Sequence, residues 1–550
     1  NPRGVDLVGS TIRKALGYVT VGTEADVSDI GYTLYNHRIL SSTELLVKTI
    51  GTTVKYLDTV TDTWQKITSA TLTAGLRWFF ASFNGYMYGG NGTNNLVRWR
   101  ASAYSTLNGA ILAGAATIDL AAGTGARFPN AGSGMIEGDT FAWTGRSTDQ
   151  LTGVTGVTSG HATGSAVIME MDTTTYTTQP KGSVGLIFAN RLFIRDDANP
   201  NFYYFSKLAD NTNPEDDLAN FTIAGSGTGD AGFIIFPAPV LGAKEFITGG
   251  NSAAHVVYCA DGVSYSVTVT DSGSTTVGAF TPFKVLGADL VSKRAIAVTE
   301  NDMVVIDNFG NFRALGYGDQ STTIKTTRLT DDIDTTVEET DFSSGVLFYL
   351  NRSMYGLGRQ NGANSNNFAI VRETNPSGFT FYDHWQLNDL AEANNILYGL
   401  SSLTGNVFRL NYGYNADGDA MLARYPVAGL NPDAPLRLKL LHKIRISCYI
   451  TNNCNLYLKA YADESTIPIS TWLISGSNTA ITSALDNVAI GTVVFGSGVV
   501  GGGLPPGVER KKFIATLVLN DFQLYYVLNL LFENNQSDVD FALAVLESNP

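Results

Sequence analysis

The sequence predicts an all-β protein whose main body is an irregular β-propeller of about seven blades, with six or eight as alternatives. Three observations predict it: short apolar strands broken by turns, strand units that recur along the chain, and a composition suited to sheets. The 550 residues include 57 glycines, 25 tyrosines and 28 phenylalanines. Aromatic and β-branched side chains fit pleated surfaces, whereas glycine adopts the positive φ of tight turns. Extended helical periodicity is scarce.

The first part of the propeller is assigned to residues 1–102. Residues 30–69 contain four candidate strands, GYTLYN, ELLVKTI, TVKYLD and WQKIT, within the length of one propeller blade. The next unit has candidate strands at 77–83, 86–88 and 96–99. Its Asn84-Gly85 pair predicts a type I′ hairpin turn.

Residues 103–171 interrupt the propeller with a segment rich in Gly, Ala and Thr. Predicted strands at 117–120, 134–137, 140–144 and 166–169 are joined by Gly-rich turns, which predicts a small inserted β-barrel or roll. The segment resembles a module of phage virion proteins. The residues that match it are Thr117, Ile118, Phe128, Pro129, Gly132, Ile136, Gly145, Leu151, Gly153, Val154, His161, Gly164 and Val167. Asp139 and Trp143 stand where that module has Glu and Tyr, and Gly156-Val157 replaces its Arg-Gly.

The propeller continues through residues 172–425, with units at 185–221, 254–268, 295–315, 345–385 and 394–410. Residues 426–550 contain longer alternating strands, which predict an antiparallel β-sandwich-like domain, either separate or capping the propeller. If Asn452-Asn453 forms a two-residue hairpin turn there, Cys448 pairs with Tyr457.

Charge and cysteine content argue against several functional classes. The chain has 36 Lys and Arg against 50 Asp and Glu, a net charge of −14, which disfavours a surface that neutralises nucleic-acid phosphates. The cysteines Cys259, Cys448 and Cys454 are too scattered for a disulfide framework or a zinc site. There is no apolar run of about 18 residues, and the first residues are not a signal peptide. We expect a soluble protein, made in a reducing cytoplasm, without membrane insertion.

No residue is assigned to catalysis, cofactor binding or metal binding, and we expect the protein not to be an enzyme. The five histidines lack metal-ligand spacing, and no P-loop, Rossmann or nucleophile-elbow motif occurs in a fitting context. The five histidines are His37, His161, His255, His384 and His442. The acidic turn at 415–419 is interpreted as a plain turn rather than a calcium loop, because Gly413 and Arg424 occupy ligand positions.

Acidic loops are the main candidates for chemistry, since propeller glycosidases use paired carboxylates in the central funnel. These clusters are Asp196-Asp197, Glu215-Asp216-Asp217 and Asp331-Asp332. All three lie in turn-forming contexts, which favours solvated loop faces. Aromatic residues could stack on carbohydrate, but packing between adjacent blades is the simpler interpretation. Trp64, Trp99 and Trp385 each fall near the end of a unit, as blade-packing aromatics do.

The stretch from 185 to 221 resembles a blade of the tail nozzle, or tail-hub, propeller proteins of short-tailed bacteriophages. The residues that carry the resemblance are Asn190, Arg191, Leu192, Ile194, Asn199, Pro200, Tyr204, Phe205, Ser206, Pro214 and Phe221, with Asn213 where the family has Asp. The segments 256–263 and 306–310 are similar to further elements of that family. The order of these pieces, over most of residues 30–425, carries the resemblance.

The resemblance implies a structural virion protein without catalytic residues. It implies a ring of subunits, typically a hexamer, below the adaptor that joins the portal, in contact with tail fibres or spikes. DNA would pass through the lumen without sequence-specific binding, and an acidic surface would discourage it from sticking. Two alternatives remain: a glycan-binding or glycan-degrading propeller, and a siphophage stopper or receptor-binding tail-tip hub.

Overall fold

The protein is described by a computed structural model. It covers residues 5–8, 11–14, 16–40, 43–209, 214–223, 230–247, 253–269, 280–285, 289–300, 302–317, 324–374, 377–383, 385–413, 415–430, 443–451, 454–462, 465–475, 482–483, 494–496, 510–518, 528–534, 536 and 541–549. Among these residues no helix has the length and apolar character needed to cross a membrane.

In the described part of the chain, seven small antiparallel sheets follow one another as the blades of a propeller. Three strands precede them: β1 (Val5–Val8), β2 (Thr11–Lys14) and β3 (Tyr18–Val21). Blade 1 comprises β4 (Gly31–Leu40), β5 (Thr43–Ile50), β6 (Thr53–Asp58) and β7 (Thr63–Lys66). Blade 2 comprises β8 (Phe79–Phe83), β9 (Tyr86–Gly90) and β10 (Val97–Arg100).

The inserted domain follows blade 2 and forms two small sheets. Its strands are β11 (Tyr104–Thr106), β12 (Thr117–Asp119), β13 (Gly132–Ile136), β14 (Asp139–Trp143), β15 (Gly145–Ser147), β16 (Gln150–Thr152) and β17 (Ala166–Met169), with a 3-10 turn at Gly125–Arg127. The sheet orders are β11-β17-β13-β14 and β12-β16-β15. Residues of the virion-module pattern fill the core between the sheets, including Ile118, Phe128 and Leu151.

Blades 3 to 6 each contain four consecutive strands. Blade 3 has β18 (Gly185–Phe188), β19 (Arg191–Arg195), β20 (Phe202–Phe205), helix α1 (Pro214–Asp217) and β21 (Gly232–Ile235). Blade 4 has β22 (Val240–Ile247), β23 (Ala253–Cys259), β24 (Ser264–Val269) and β25 (Phe280–Val285). Blade 5 has β26 (Ile296–Val298), β27 (Met303–Ile306), β28 (Phe312–Tyr317) and β29 (Ile324–Arg328).

The last two blades complete the ring. A 3-10 turn at Asp331–Ile333 and helix α2 (Asp334–Glu338) lead into blade 6, which has β30 (Asp341–Leu350), β31 (Ser353–Arg359), β32 (Phe368–Thr374) and β33 (Ser377–Tyr382). Blade 7 has β34 (Leu387–Ala393), β35 (Ile396–Ser401) and β36 (Val407–Leu410).

The ring closes through β3, which is the fourth strand of blade 7. β3 pairs antiparallel with β36, placing Tyr18 opposite Leu410 and Val21 opposite Val407. The first strand of each blade contacts the first strand of the next, and β34 of blade 7 contacts β4 of blade 1. The chain is therefore an all-β propeller, as the sequence predicts.

Turn chemistry explains why these segments form hairpins. The Asn84-Gly85 turn joins β8 to β9 with φ values of 47° and 81°, as a type I′ turn requires. Ala189-Asn190 and Asn394-Asn395 occupy the same place in blades 3 and 7, and all four residues have positive φ. Asparagine tolerates this conformation better than other non-glycine residues.

Large apolar side chains pack between adjacent blades. Trp64, Trp99 and Trp385 are all buried, Trp385 completely. The Trp99 ring of blade 2 lies 5.8 Å from the ring of Tyr56 in blade 1, centroid to centroid. Their burial agrees with the blade-packing interpretation.

The C-terminal strands form two further antiparallel sheets. The strands are β37 (Ala423–Leu430), β38 (Lys443–Thr451), β39 (Asn455–Ala462), β40 (Ser470–Ser475), β41 (Thr482–Ser483), β42 (Val494–Gly496), β43 (Arg510–Val518), β44 (Leu528–Asn534) and β45 (Phe541–Asn549). One sheet has the order β1-β2-β45-β38-β43-β42 and the other the order β37-β44-β39-β40-β41.

Four details differ from the sequence-based predictions. Residues 5–8 and 11–14 belong to the C-terminal sheet rather than to the first part of the propeller, because β1 pairs with β2 and β2 pairs with β45. At the other boundary, Ala423–Leu430 pairs with β44, so the last propeller strand ends at Leu410. The Cys448–Tyr457 pairing is wrong, since β38 and β39 lie in different sheets. The acidic cluster at 215–217, which the sequence places on a solvated loop face, lies in one helical turn, α1.

Candidate functional site

The first strands of the seven blades surround a central cavity of about 560 Å³. Every blade contributes lining residues, from Leu34 and Asn36 in blade 1 to Glu392 in blade 7. Such a concave space, enclosed by rigid strands, is the usual kind of ligand site in a scaffold of this type.

Charged side chains cross the channel where the first strands of several blades begin. Lys293, which precedes blade 5, donates from Nζ to the carbonyl oxygen of Arg77 in front of blade 2, at 3.2 Å. Arg77 Nη2 in turn donates to the carbonyl oxygens of Ser344 in blade 6 and Asn388 in blade 7, each at 3.1 Å. These contacts join four blades across the axis.

One buried carboxylate accompanies these cations. Asp389 forms an ion pair with Arg294, and its side chain is only 1% exposed. It also accepts hydrogen bonds from the backbone N–H groups of Leu34, at 2.9 Å, and Leu390, at 3.0 Å. We call Arg77, Lys293, Arg294 and Asp389 the crossing cluster.

The environment of the channel lowers the pKa values of Lys293, Lys244 and Arg77. Burial lowers the pKa of Lys293 to about 8, although Asp197 opposes the shift. Burial also lowers the pKa of Lys244, and the charge of Arg294 adds to the effect. For Arg77 burial likewise lowers the pKa. A lowered pKa means that neighbouring carboxylates and hydrogen-bond acceptors do not fully offset the loss of hydration of a buried cation.

Sequence reasoning missed these residues because they form no motif and lie far apart in the chain. The available signal is positional. Arg77 and the Lys293-Arg294 pair each come just before the first strand of a blade, and in a propeller all such positions meet at one end of the channel.

Asp196 and Asp197 lie in the β19–β20 connection and have local roles. Asp196 accepts a hydrogen bond from Ala198 N at 3.1 Å, as expected of a turn aspartate. Asp197 forms an ion pair with Arg195 and accepts from Ser183 N at 3.3 Å.

The other acidic candidates lie at different places around the ring. Asp216 in α1 pairs with Arg98 of blade 2 at 2.5 Å, which joins blade 3 to its neighbour. Asp331 pairs with Arg328 at 3.2 Å in the connection between blades 5 and 6. The structure does not bring the three clusters together, and none is among the described residues that line the cavity.

Two histidines are buried in the propeller core. His37 Nδ1 lies 2.8 Å from Ser82 Oγ, and burial lowers the pKa of His37 to about 4. The His255 ring lies 4.7 Å from the rings of both Phe188 and Phe193, and burial lowers its pKa to about 3. Both imidazoles are therefore neutral near pH 7. Two more histidines fall outside the described residues: His384 and His442.

His161 lies between two carboxylates of the inserted domain. Its Nδ1 is 3.1 Å from Glu137 Oε2, and its Nε2 is 3.1 Å from Asp139 Oδ2. Ser165 Oγ donates to Glu137 at 2.7 Å. These contacts hold the loops of the domain together, and within the described residues no group of three or more His, Cys, Asp or Glu is arranged to hold a metal ion.

The acidic turn at 415–419 supports ring closure. Asp417 accepts from the backbone N of Thr20 at 2.9 Å and from its hydroxyl at 2.7 Å. Asn415 Oδ1 accepts from Gly418 N at 3.0 Å. The turn therefore helps to hold β3 in place as the fourth strand of blade 7.

The residues that resemble the nozzle pattern have structural roles in blade 3. Arg191 is buried and donates from Nη1 to the carbonyl oxygens of Ser206, at 2.6 Å, and Asp230, at 2.8 Å. The Ser206 hydroxyl accepts from Leu192 N at 2.9 Å. Asn190 supplies a positive φ of 57° in the turn before them. Together they tie β19 to the following strands of the blade.

Comparison with known proteins finds no matching family model and no matching curated protein. Among solved structures, the chain is similar to BamB from Moraxella catarrhalis at 10% identity, covering 74% of this chain and 94% of BamB, with a TM-score of 0.31. It is also similar to Raptor from Chaetomium thermophilum, at 8% identity over 72% of this chain and 29% of Raptor, with a TM-score of 0.34. BBS1N, in complex with ARL6DN, matches at 8% identity over 72% of this chain and 97% of that chain, with a TM-score of 0.32.

Proposed function

We propose that this protein is a structural component of a short-tailed phage tail, which assembles as a ring, typically a hexamer, below the adaptor and portal. In this role it conducts and gates DNA and contacts tail fibres or spikes. The proposal is carried by the pattern in blade 3, which begins with Asn190-Arg191-Leu192 and continues through Asn199-Pro200 to Ser206.

The chemistry of the pattern residues supports a structural role. The Arg191 guanidinium donates hydrogen bonds to two backbone carbonyl oxygens, and the Ser206 hydroxyl accepts one from a backbone N–H. A blade fixed in this way is stiff, which suits a subunit that packs into a ring. The net charge of −14 also suits a wall past which DNA must move without sticking.

A glycan-active propeller makes a different prediction about the acidic loops. Asp197 and Asp216 are both engaged in ion pairs with arginines, Arg195 and Arg98. Paired catalytic carboxylates would instead face a common substrate in the funnel. This placement supports the structural proposal over the enzymatic one.

The test is to delete the gene from a phage that carries it and to examine the particles. We expect virions to contain several copies of the protein, and particles without it to lose their packaged DNA. Complementation with the wild-type chain is the control. Intact, infectious particles lacking the protein would refute the proposal.

Two measurements separate this proposal from the alternatives. Class averages of the isolated tail should contain a ring with an axial channel at the portal end, whereas a tail-tip hub would lie at the distal end. Release of reducing sugar from bacterial polysaccharide, abolished by Asp197→Asn or Glu215→Gln, would favour the glycan-active alternative.

A further inference from the structure

We propose that the central channel of the propeller binds a small oxyanion of the phosphate class, held by Lys244, Lys293 and Arg294. This site is distinct from any DNA passage along the axis of a ring of subunits, so it stands independently of the proposed function.

The side chains that line the cavity carry an excess of positive charge. Six charged side chains line it: Arg38, Lys244, Glu245, Lys293, Arg294 and Glu392. Four are cationic and two anionic, which gives a net charge of +2 inside a protein whose net charge is −14. Adding the adjacent Arg77, Asp389 and Glu44, of which Glu44 pairs with Arg38 at 3.0 Å, leaves a net charge of +1.

The carboxylates near the cavity leave much of the positive charge of Lys244, Lys293 and Arg294 uncompensated. Glu392 lies 3.8 Å from Arg38, on the carboxyl-terminal halves of β34 and β4. Asp389 is saturated by Arg294 and two backbone N–H groups. Glu245 follows Lys244 directly and is the remaining carboxylate of the lining.

The cations of the channel have hydrogen-bond donors to offer a ligand. Lys293 uses one of its three N–H groups on Arg77 O, which leaves others for a ligand. Arg77 Nη1 is buried and has no hydrogen-bond partner among the described residues. A buried donor without a partner is costly, so this end of the channel is stabilised by an added acceptor.

The shape of the site also favours an oxyanion. Lys244 belongs to blade 4 and Lys293 and Arg294 precede the neighbouring blade 5, whereas Arg77, which Lys293 contacts, precedes blade 2 on the other side of the channel. Although it lies deep among the blades, the Lys244 side chain remains accessible from the cavity that it lines. A tetrahedral phosphate presents oxygens in several directions and can accept from donors that converge on it, whereas a carboxylate presents only two oxygens in one plane. The volume of about 560 Å³ fits a small molecule rather than a polymer.

The experiment is calorimetric titration of the full chain with inorganic phosphate, at constant ionic strength maintained with chloride. We expect saturable binding by the wild type and at least about tenfold weaker binding by Lys244→Met, because one charge-assisted hydrogen bond is lost. The matched control is Lys284→Met, in the outer strand β25 of the same blade, which should bind like the wild type. Absence of saturable binding by the wild type, or equal affinity in Lys244→Met, would overturn the proposal.

A second measurement needs no variant and therefore does not depend on folding of the mutant. Lysine acylation of the wild type is followed by mass spectrometry with and without phosphate. We expect phosphate to slow labelling of Lys244 and Lys293 while leaving Lys284 unchanged. Equal protection of all three lysines, or of none, would contradict the proposed site.

Two sources of the ligand are distinguished by a parallel titration with ribose 5-phosphate. Tighter binding of the ester than of inorganic phosphate identifies a phosphorylated small molecule that uses the rest of the cavity. Equal or weaker binding of the ester identifies the free ion as the ligand. Both outcomes require the phosphate-binding residues named above.

Discussion

Two groups of buried or half-buried cations in this propeller differ in how they are neutralised. At the seam between blades 7 and 1, Lys48 and Lys55 both form ion pairs with the buried Glu24, and Lys55 also pairs with Asp26. We call these four residues the closure cluster. In the crossing cluster, by contrast, Asp389 forms an ion pair with Arg294, while Arg77 and Lys293 donate to backbone carbonyl oxygens.

The partners of the closure cluster explain its structural role. Lys48 Nζ donates to the carbonyl oxygen of Gly405 in blade 7 at 2.6 Å and lies 4.1 Å from the centre of the Trp64 ring. Burial alone would raise the pKa of Glu24, but hydrogen bonds from Lys48 and Lys55 hold it below the usual value. Balanced charges of this kind hold the seam, whereas the unbalanced charges of the channel leave capacity for a ligand.

The largest expected effect comes from breaking the closure cluster. Glu24→Gln removes the carboxylate between two buried lysines and should destabilise the protein by about 3–5 kcal/mol. Denaturant unfolding measures the loss. Glu338→Gln, at an exposed position in α2, is the matched control and should change little. An unchanged unfolding midpoint in Glu24→Gln would show that the lysines are neutralised in another way.

The corresponding loss of a carboxylate in the crossing cluster should destabilise the protein less and should alter phosphate binding. Asp389→Asn leaves Arg294 without its carboxylate, but an amide oxygen can still accept from Leu34 N, so we expect a loss of about 1–3 kcal/mol. The net charge of the channel rises by one, and phosphate should bind several-fold more tightly. Weaker phosphate binding by a folded Asp389→Asn protein would contradict the charge argument.

The third prediction uses pH to vary the charge of the channel. Because the pKa of Lys293 is lowered to about 8, this lysine loses its proton as pH rises through that value, and anion affinity should fall. Between about pH 7 and pH 9 the fall for one lysine reaches up to about tenfold. The charged groups that act on Lys293 are Asp197, Arg195, Arg77 and Arg294.

Sulfate is the probe for this measurement, since it does not titrate in that range. Lys293→Met should bind sulfate more weakly and with a shallower dependence on pH. The free energy of unfolding should change with pH in the opposite direction. In the unfolded chain Lys293 keeps its proton up to its ordinary pKa of 10.5, whereas in the folded protein it loses the proton near pH 8. The protein should therefore become more stable as pH rises from about 8 to 10.5. A pH profile of sulfate binding that is identical in Lys293→Met would remove this lysine from the site.

The smallest effect is expected at a solvent-exposed pair. Asp216→Asn breaks the contact with Arg98, but the Asp216 side chain is 66% exposed, and such pairs contribute less than about 1 kcal/mol. Thermal unfolding should therefore differ little from the wild type. A large loss would mean that the join between blades 2 and 3 depends on this ion pair, and charge balance would then matter at the surface as well as at the seam.

The regular parts of the fold could be predicted from local sequence. The four strands of blade 1 and the turn at Asn84-Gly85 follow from alternating apolar residues and turn chemistry, both short-range signals. The inserted domain was recognisable from a change in composition. The domain boundaries were harder, because β2 and β3 are close in sequence but pair with strands at least 386 residues away, the separation of Val21 and Val407.

By itself the sequence determined an all-β protein, its strand-and-turn units and its acidic balance, since these depend on residue types and their local order. Tertiary structure alone decided which residues meet. Ring closure brings Glu24 to Lys48, and radial packing brings Lys293 to Arg77 from the other side of the channel. Both juxtapositions arise because a propeller converts successive units into a circle, which places positions from distant parts of the chain around one axis.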